Sequence, residues 1–272
     1  MIVREFAAMS TAWWLTTASL AAAADAERFV HDAESRLSRF RPESALSRLN
    51  FHRVVRDGML AEVVREALAL RIGTMGAFDP TLGDALGAAG YEVSFERLGT
   101  SVAPRPRPDV RPIVETDGDR VFLHGAGSLD LGGIAKGWTV DRVAERLGEV
   151  YLVDGGGDIR GGGPEPWAIG VPGDRAVSLT NMAVATSSTL KRRWSTPQGE
   201  AHHILCPATG RPSVGSYSAV VVASTAAVAD AFATAILADS ARAVPGLASY
   251  GAHALIETDT WWMTPGMERW LT

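Results

Sequence analysis

Apolar positions along the chain follow two periods. From Ala21 to Arg39 they fall at Ala26, Phe29, Val30, Ala33 and Leu37, which predicts a helix with one buried stripe. Pro42 breaks that helix, and Ser44 is placed to cap a short new turn in RPESALSRLN. Met59 to Ile72 repeats the helical pattern with Val63, Ala67 and Leu70, as does Thr139 to Leu147 with Val140, Val143, Ala144 and Leu147. An Ala-rich stretch, Ala226 to Ala238, predicts a longer helix. Other segments are short, β-branched and bounded by turn residues. TAWWLTTA, RVFLHG and SLDL predict strands in the first half; VYLVDGGG, WAIGV, AVAT, HHIL, YSAVVVAS, ALIET and TWWMT predict strands in the second. GTMGAFDPTLG reads as a loop, and APRPRPDVRP, Ala103 to Pro112, as an extended connector. No regular βαβ rhythm and no fixed-period repeat is present. The expected fold is α+β, a largely antiparallel mixed sheet packed with helices, read as a single domain over 1–272.

Composition narrows the function classes. With 272 residues, 46% hydrophobic and 21% charged, the chain can build a substantial core. The net charge of −5 comes from interspersed charges of both signs, which leaves no basic face for nucleic acid. A single cysteine, Cys206, excludes an internal disulfide and any multi-cysteine zinc site. No apolar run reaches the ~18 to 20 residues needed to span a bilayer. Near the N-terminus Glu5 interrupts the order of a secretory leader, so a cytoplasmic location is expected.

Two stretches carry candidate chemistry. LDLGGIAKGW places Asp130, Gly132, Gly133 and Lys136 at a helix start. Free N–H groups and the dipole there favour an anion, and glycines let it come close. It is not a P-loop, because Ala135 precedes Lys136 and Gly137 follows it. No stretch satisfies G-x-G-x-x-G either. A plain strand-to-helix turn with a solvated lysine fits these residues equally well. In AAVADAFATAILAD, Asp230 and Thr234 share one face of a helix that is apolar all round and therefore buried. A buried carboxylate must be paired, hydrogen-bonded or metal-bound. A carboxylate and a hydroxyl one turn apart form a partial oxygen shell for Mg²⁺; a hydrogen bond to nearby backbone is the alternative. His202 and His203 should point to opposite faces of an extended strand.

The ordered set AMST, SRFRPESALSRLN, GAFDPTLG, LDLGGIAKGWTVDRVAERL, YLVDGGGDIRGGG, VATSS, HHILCPATGRP and VADAFAT closely resembles the FAD:protein FMN transferase (ApbE-like) family. The resemblance implies an enzyme that uses FAD and Mg²⁺, transfers FMN to a threonine or serine hydroxyl of an acceptor protein, and releases AMP. It implies metal ligation by Asp230, Thr234 and the carbonyl of Gly133. It also implies FAD contacts from Met9, Phe40, Asn50, Ala77, Phe78, Asp79, Asp130, Lys136, His203 and Ile204. Catalytic roles fall to Asp230, Lys136 and His203, the last as proton carrier. Hydrolysis of FAD to FMN and AMP, or FAD binding without turnover, are the alternatives. The chain departs from the family at Ser10, where it usually has glycine, at Phe40, where it has tyrosine, and at Ser188, again glycine. At Cys206 the family has aspartate, and losing a carboxylate there favours the binding-only alternative. Many relatives are exported lipoproteins, but no lipobox cysteine stands near the start.

Overall fold

The computed structural model describes residues 1–98, 111–197 and 199–272. Most of the expected connector Ala103–Pro112 lies outside them.

The centre is an antiparallel sheet of eight strands. In chain order they are β1 (Ile2–Ala8), β2 (Thr11–Thr17), β3 (Tyr151–Asp154), β4 (Asp158–Gly162), β5 (Met182–Ser188), β6 (Ser218–Ala223), β7 (His253–Glu257) and β8 (Trp261–Met263). Each pairs with the next, so the sheet is a meander whose long insertions carry the helices. β1 was not foreseen: its alternation of half-buried and exposed residues marks a solvated edge strand rather than a core one. It turns into β2 through Met9 and Ser10 at φ 51° and 57°, the left-handed pair that a two-residue hairpin turn demands.

β6 shows how the sheet divides the core. All six of its residues are buried. Ala219, Val221 and Ala223 pack on the helical side; Val220 and Val222 pack on the other, against the hairpin of Trp167–Val171 and Arg175–Leu179. A strand covered on both faces reads as a continuous apolar run, and VVVA does.

Six α-helices lie among the described residues: α1 (Leu20–Leu37), α2 (Ala45–His52), α3 (Gly58–Gly73), α4 (Gly83–Ala88), α5 (Ala135–Ala144) and α6 (Ala226–Gly246). Their starts follow from capping: Ser19, Ser44, Asp57 and Thr225 each accept a hydrogen bond from the first turn of α1, α2, α3 and α6. α6 is buried along most of its length, with Asp239 breaking the helical backbone at φ −162°. Asp141 of α5 caps α6 a second time, accepting from Ala226 and Ala227 N–H at 2.9 Å each.

Three local expectations fail. SLDL is not a strand, because the Asn50 amide takes the place of a neighbouring strand for Leu129: it donates to the carbonyl at 2.9 Å and accepts from the N–H at 2.8 Å. HHIL is not one strand either. The Gly199–His202 strand stops where the Ile204 N–H turns back onto His202 Nδ1 at 3.3 Å, and pairing resumes at Leu205–Cys206. The third helix begins at Ala135 rather than Thr139, so Lys136 sits inside its first turn.

Candidate active site

α5 and α6 cross so closely that a Cβ at Gly137 would stand 2.3 Å from the Ala226 carbonyl oxygen. Through that gap the Gly137 N–H donates to Asp230 Oδ2 at 3.2 Å. Gly133 is held almost as tightly, its Cβ position 3.0 Å from Thr234 Oγ1 and 3.2 Å from Phe78. The glycines of LDLGGIAKGW thus let α5 and its entry loop lie against α6 beside Asp230 and Thr234.

The space in front of these residues is a cavity of about 370 Å³, within the range of small-molecule sites, roughly 300–1,000 Å³. Of the thirteen residues the resemblance implies, Met9, Phe40, Ala77, Phe78, Asp79, Asp130, Gly133, Lys136, His203, Ile204, Asp230 and Thr234 line it. Asn50 does not; its amide is engaged with Leu129 behind the loop. Asp79 reaches the wall with its carboxylate already used: Thr81 donates its N–H at 3.0 Å and its hydroxyl at 2.6 Å, and Arg71 and Arg111 pair with it. Asp130 accepts from Gly132 N–H at 2.9 Å and pairs with Arg39 Nε at 2.5 Å.

Lys136 is not a solvated surface lysine. Its ammonium pairs with Asp158 of β4 and lies 3.6 Å from Asp230 Oδ2. Burial lowers its affinity for the proton, but the two carboxylates outweigh burial and raise it. Burial pushes the Asp158 carboxyl upward and the Asp230 charge adds to it, with the paired Lys136 opposing both. Two carboxylates, Asp158 and Asp230, thus face one ammonium.

Burial holds His203 down at about 3, with Arg192 adding to the effect. The ring is neutral at physiological pH, its Nδ1 buried without a hydrogen-bond partner. His202 points the other way, its Nε2 3.0 Å from the Ser213 carbonyl oxygen. Cys206 lies in the short hairpin pairing with Arg211 and is not part of the cavity wall.

Sequence reasoning assigned no role to Asp158, Arg39, Tyr91 or Arg192, all near or in the cavity. Arg39 stacks over Phe40 and Tyr91 at 4.2 and 4.9 Å from their ring centroids, and Tyr91 stacks on Trp194 at 5.5 Å. Tyr91 comes from an irregular segment with no periodic signal. Asp158 stood in the quoted YLVDGGGDIRGGG, where its place inside a strand was a usable hint of burial.

The model of the ApbE family matches residues 9–256. The chain belongs to the ApbE family. Similar proteins include the FAD:protein FMN transferase of Haemophilus influenzae, 27% identical over 88% of this chain and 79% of the relative. The FAD:protein FMN transferase of Vibrio cholerae is 29% identical over 78% of this chain and 71% of its own. Among solved structures, the ApbE protein of Thermotoga maritima superposes with a TM-score of 0.86 at 27% identity, covering 99% of this chain and 98% of that one. The flavin transferase ApbE of Vibrio cholerae shares the fold with a TM-score of 0.75 at 24% identity, over 99% and 98% of the two chains. The mixed helix and antiparallel-sheet architecture is thus the ApbE fold.

Proposed function

We propose that this ApbE-family chain is an FAD:protein FMN transferase. It moves FMN from FAD to a threonine or serine hydroxyl of an acceptor protein, depends on Mg²⁺, and releases AMP. The observation that carries the reading is the buried pairing of Lys136 with Asp158 and Asp230 beside Thr234 and the Gly133 loop at the cavity.

The residues present fit Mg²⁺ better than a softer metal. Among the described residues no group of three or more His, Cys, Asp or Glu side chains could enclose an ion. The donors at hand are the Asp230 carboxylate, the Thr234 hydroxyl and the Gly133 carbonyl, all hard oxygens. Mg²⁺ typically takes one or two carboxylates and shares the rest of its shell with water and substrate phosphates. When bound it supplies charge neutralisation and Lewis acidity at the pyrophosphate.

Phosphoryl-type transfer needs positioning and charge stabilisation more than covalent help. In this reading Lys136 faces the pyrophosphate with its charge fixed by burial and pairing. The Phe40–Tyr91–Arg39 wall offers flat surfaces for an aromatic ring of FAD. His203 is neutral and able to accept the proton of the incoming hydroxyl. The hydroxyl oxygen bonds to the FMN phosphorus, the bond to the AMP oxygen breaks, and the proton moves to His203. Cys206, the one departure that favoured binding without turnover, is not among the residues lining the cavity, although its neighbour Leu205 is.

The test is incubation with FAD, Mg²⁺ and an acceptor protein, followed by mass spectrometry. The expected result is an acceptor heavier by one FMN, with AMP released. AMP and free FMN without an adduct would identify a hydrolase; intact FAD would identify a binding protein. Asp230→Ala should abolish turnover, and a folded variant that turns over at the wild-type rate would refute the metal assignment.

A further inference from the structure

Lys136 and Asp230 both line the cavity, but the group that decides their relationship is Asp158. Three elements meet here: α5 brings Lys136, α6 brings Asp230, and β4 brings Asp158. The side chains of Asp158 and Asp230 are each 3% exposed and that of Lys136 18%. Asp158 is fixed by the sheet, since β4 lies between β3 and β5, with Asp158 in register with Ala185, and the Gly155 N–H donates to the Asp158 carbonyl at 2.9 Å. Lys136 pairs directly with Asp158 and stops 3.6 Å short of Asp230 Oδ2. A buried ammonium must have a carboxylate partner, and removing one partner of such a pair leaves a strongly unfavourable unpaired charge. Within 4 Å of the Lys136 ammonium, Asp230 is the other carboxylate among the described residues. A small shift of the lysine chain closes that distance.

We infer that Asp158 is a positioning residue: it holds Lys136 as its own counter-ion and so keeps the lysine from occupying Asp230, the carboxylate required by the cation. The inference rests on the metal assignment proposed above. It adds that the aspartate of β4 sets cation affinity without ligating the ion. Without the Asp158 charge, Lys136 turns to Asp230 and competes with the metal for the same carboxylate. Asp158 therefore acts only through Lys136, and removing the lysine removes the need for it.

The experiment measures Mn²⁺ binding to the full chain by electron paramagnetic resonance, with Mn²⁺ alone as the probe for the Mg²⁺ site and thermal melting as the check on folding. Asp158→Asn should weaken Mn²⁺ binding by about ten-fold or more. In a Lys136→Met background the same change should cost no more than about three-fold, a coupling expected of groups in direct contact. Equal losses in both backgrounds would make Asp158 a ligand or a general structural support and overturn the inference, as would wild-type affinity in Asp158→Asn. If Asp158→Asn alone fails to fold, the comparison of Lys136→Met with the double variant still decides, since a large loss there overturns the idea. Asp230→Asn separates the two levels. If it abolishes Mn²⁺ binding while Asp158→Asn does not weaken it, only this inference falls. If Asp230→Asn binds normally, the metal assignment falls and takes the inference with it.

Discussion

At the scale of single residues, the site is governed by what burial does to charge. His203 is the clearest case. In an unfolded chain an imidazole binds its proton near 6.5, whereas in the fold burial holds it at about 3. Between those values the unfolded state holds the extra proton, so the stability contributed by neutral His203 is complete above about 6.5 and lost as pH falls towards 3. Replacing His203 with glutamine, which cannot titrate, should therefore flatten the acid limb. Melting temperatures from pH 7.5 down to 5 should fall less steeply for His203→Gln than for the wild type. Parallel curves would show that the ring gains its proton in the fold as easily as in water. The same burial bears on catalysis: the ring carries no proton to give at physiological pH, and its affinity for one is lower than that of a free imidazole.

At the scale of elements, the periodic patterns were legible and their interruptions were not. α1, α3 and the body of α5 were read from three- and four-residue steps, α6 from its alanine content, and β6 from its unbroken β-branched run. SLDL and HHIL have strand-like composition, yet a side chain from a distant element, Asn50, and a local bond onto His202 redirect the backbone. Neither event leaves a periodic trace. The cluster was half legible for a similar reason. Asp230 announced itself because it interrupts an apolar helix, while Asp158 sits among glycines in a short strand whose pairing decides its burial. Gly137 entered the sequence reading only as the residue that rules out a P-loop, and its structural task is the α5–α6 crossing. A methyl group there would meet backbone, the Ala226 carbonyl at 2.3 Å, which no rotamer change relieves. Gly137→Ala should destabilise the fold by about 1–3 kcal/mol, the usual cost of overpacking, read as a lower urea midpoint at unchanged slope. It should also spread Gly133 and Lys136 from Asp230, so FAD affinity should drop with stability. A variant as stable as the wild type would mean the helices can part without cost.

At the scale of the whole molecule, one sheet runs from Ile2 to Met263 with its strands in sequential order, and the cavity draws on nearly the same span. Its wall begins at Met9 in the first hairpin, continues through the loop before α4 and the start of α5, and ends at Ala238 on α6. No half of the chain holds the site by itself. A ligand filling the cavity contacts elements from both ends and stabilises their joint arrangement, since whatever binds only the folded state raises stability by mass action. With FAD and Mg²⁺ at a hundred times the dissociation constant, that gain is about 2.7 kcal/mol. For a chain of this size it should raise the melting temperature by roughly 4–8 °C. Because sheet and cavity share their span, the melt should stay a single transition, with calorimetric and van't Hoff enthalpies equal before and after ligand is added. Two resolved transitions, of which FAD moved only one, would show that the cavity belongs to part of the chain and that the remainder folds independently of it. Asp230→Ala sharpens the comparison: it leaves the sheet intact, so its transition should remain single while the Mg²⁺-dependent part of the shift disappears.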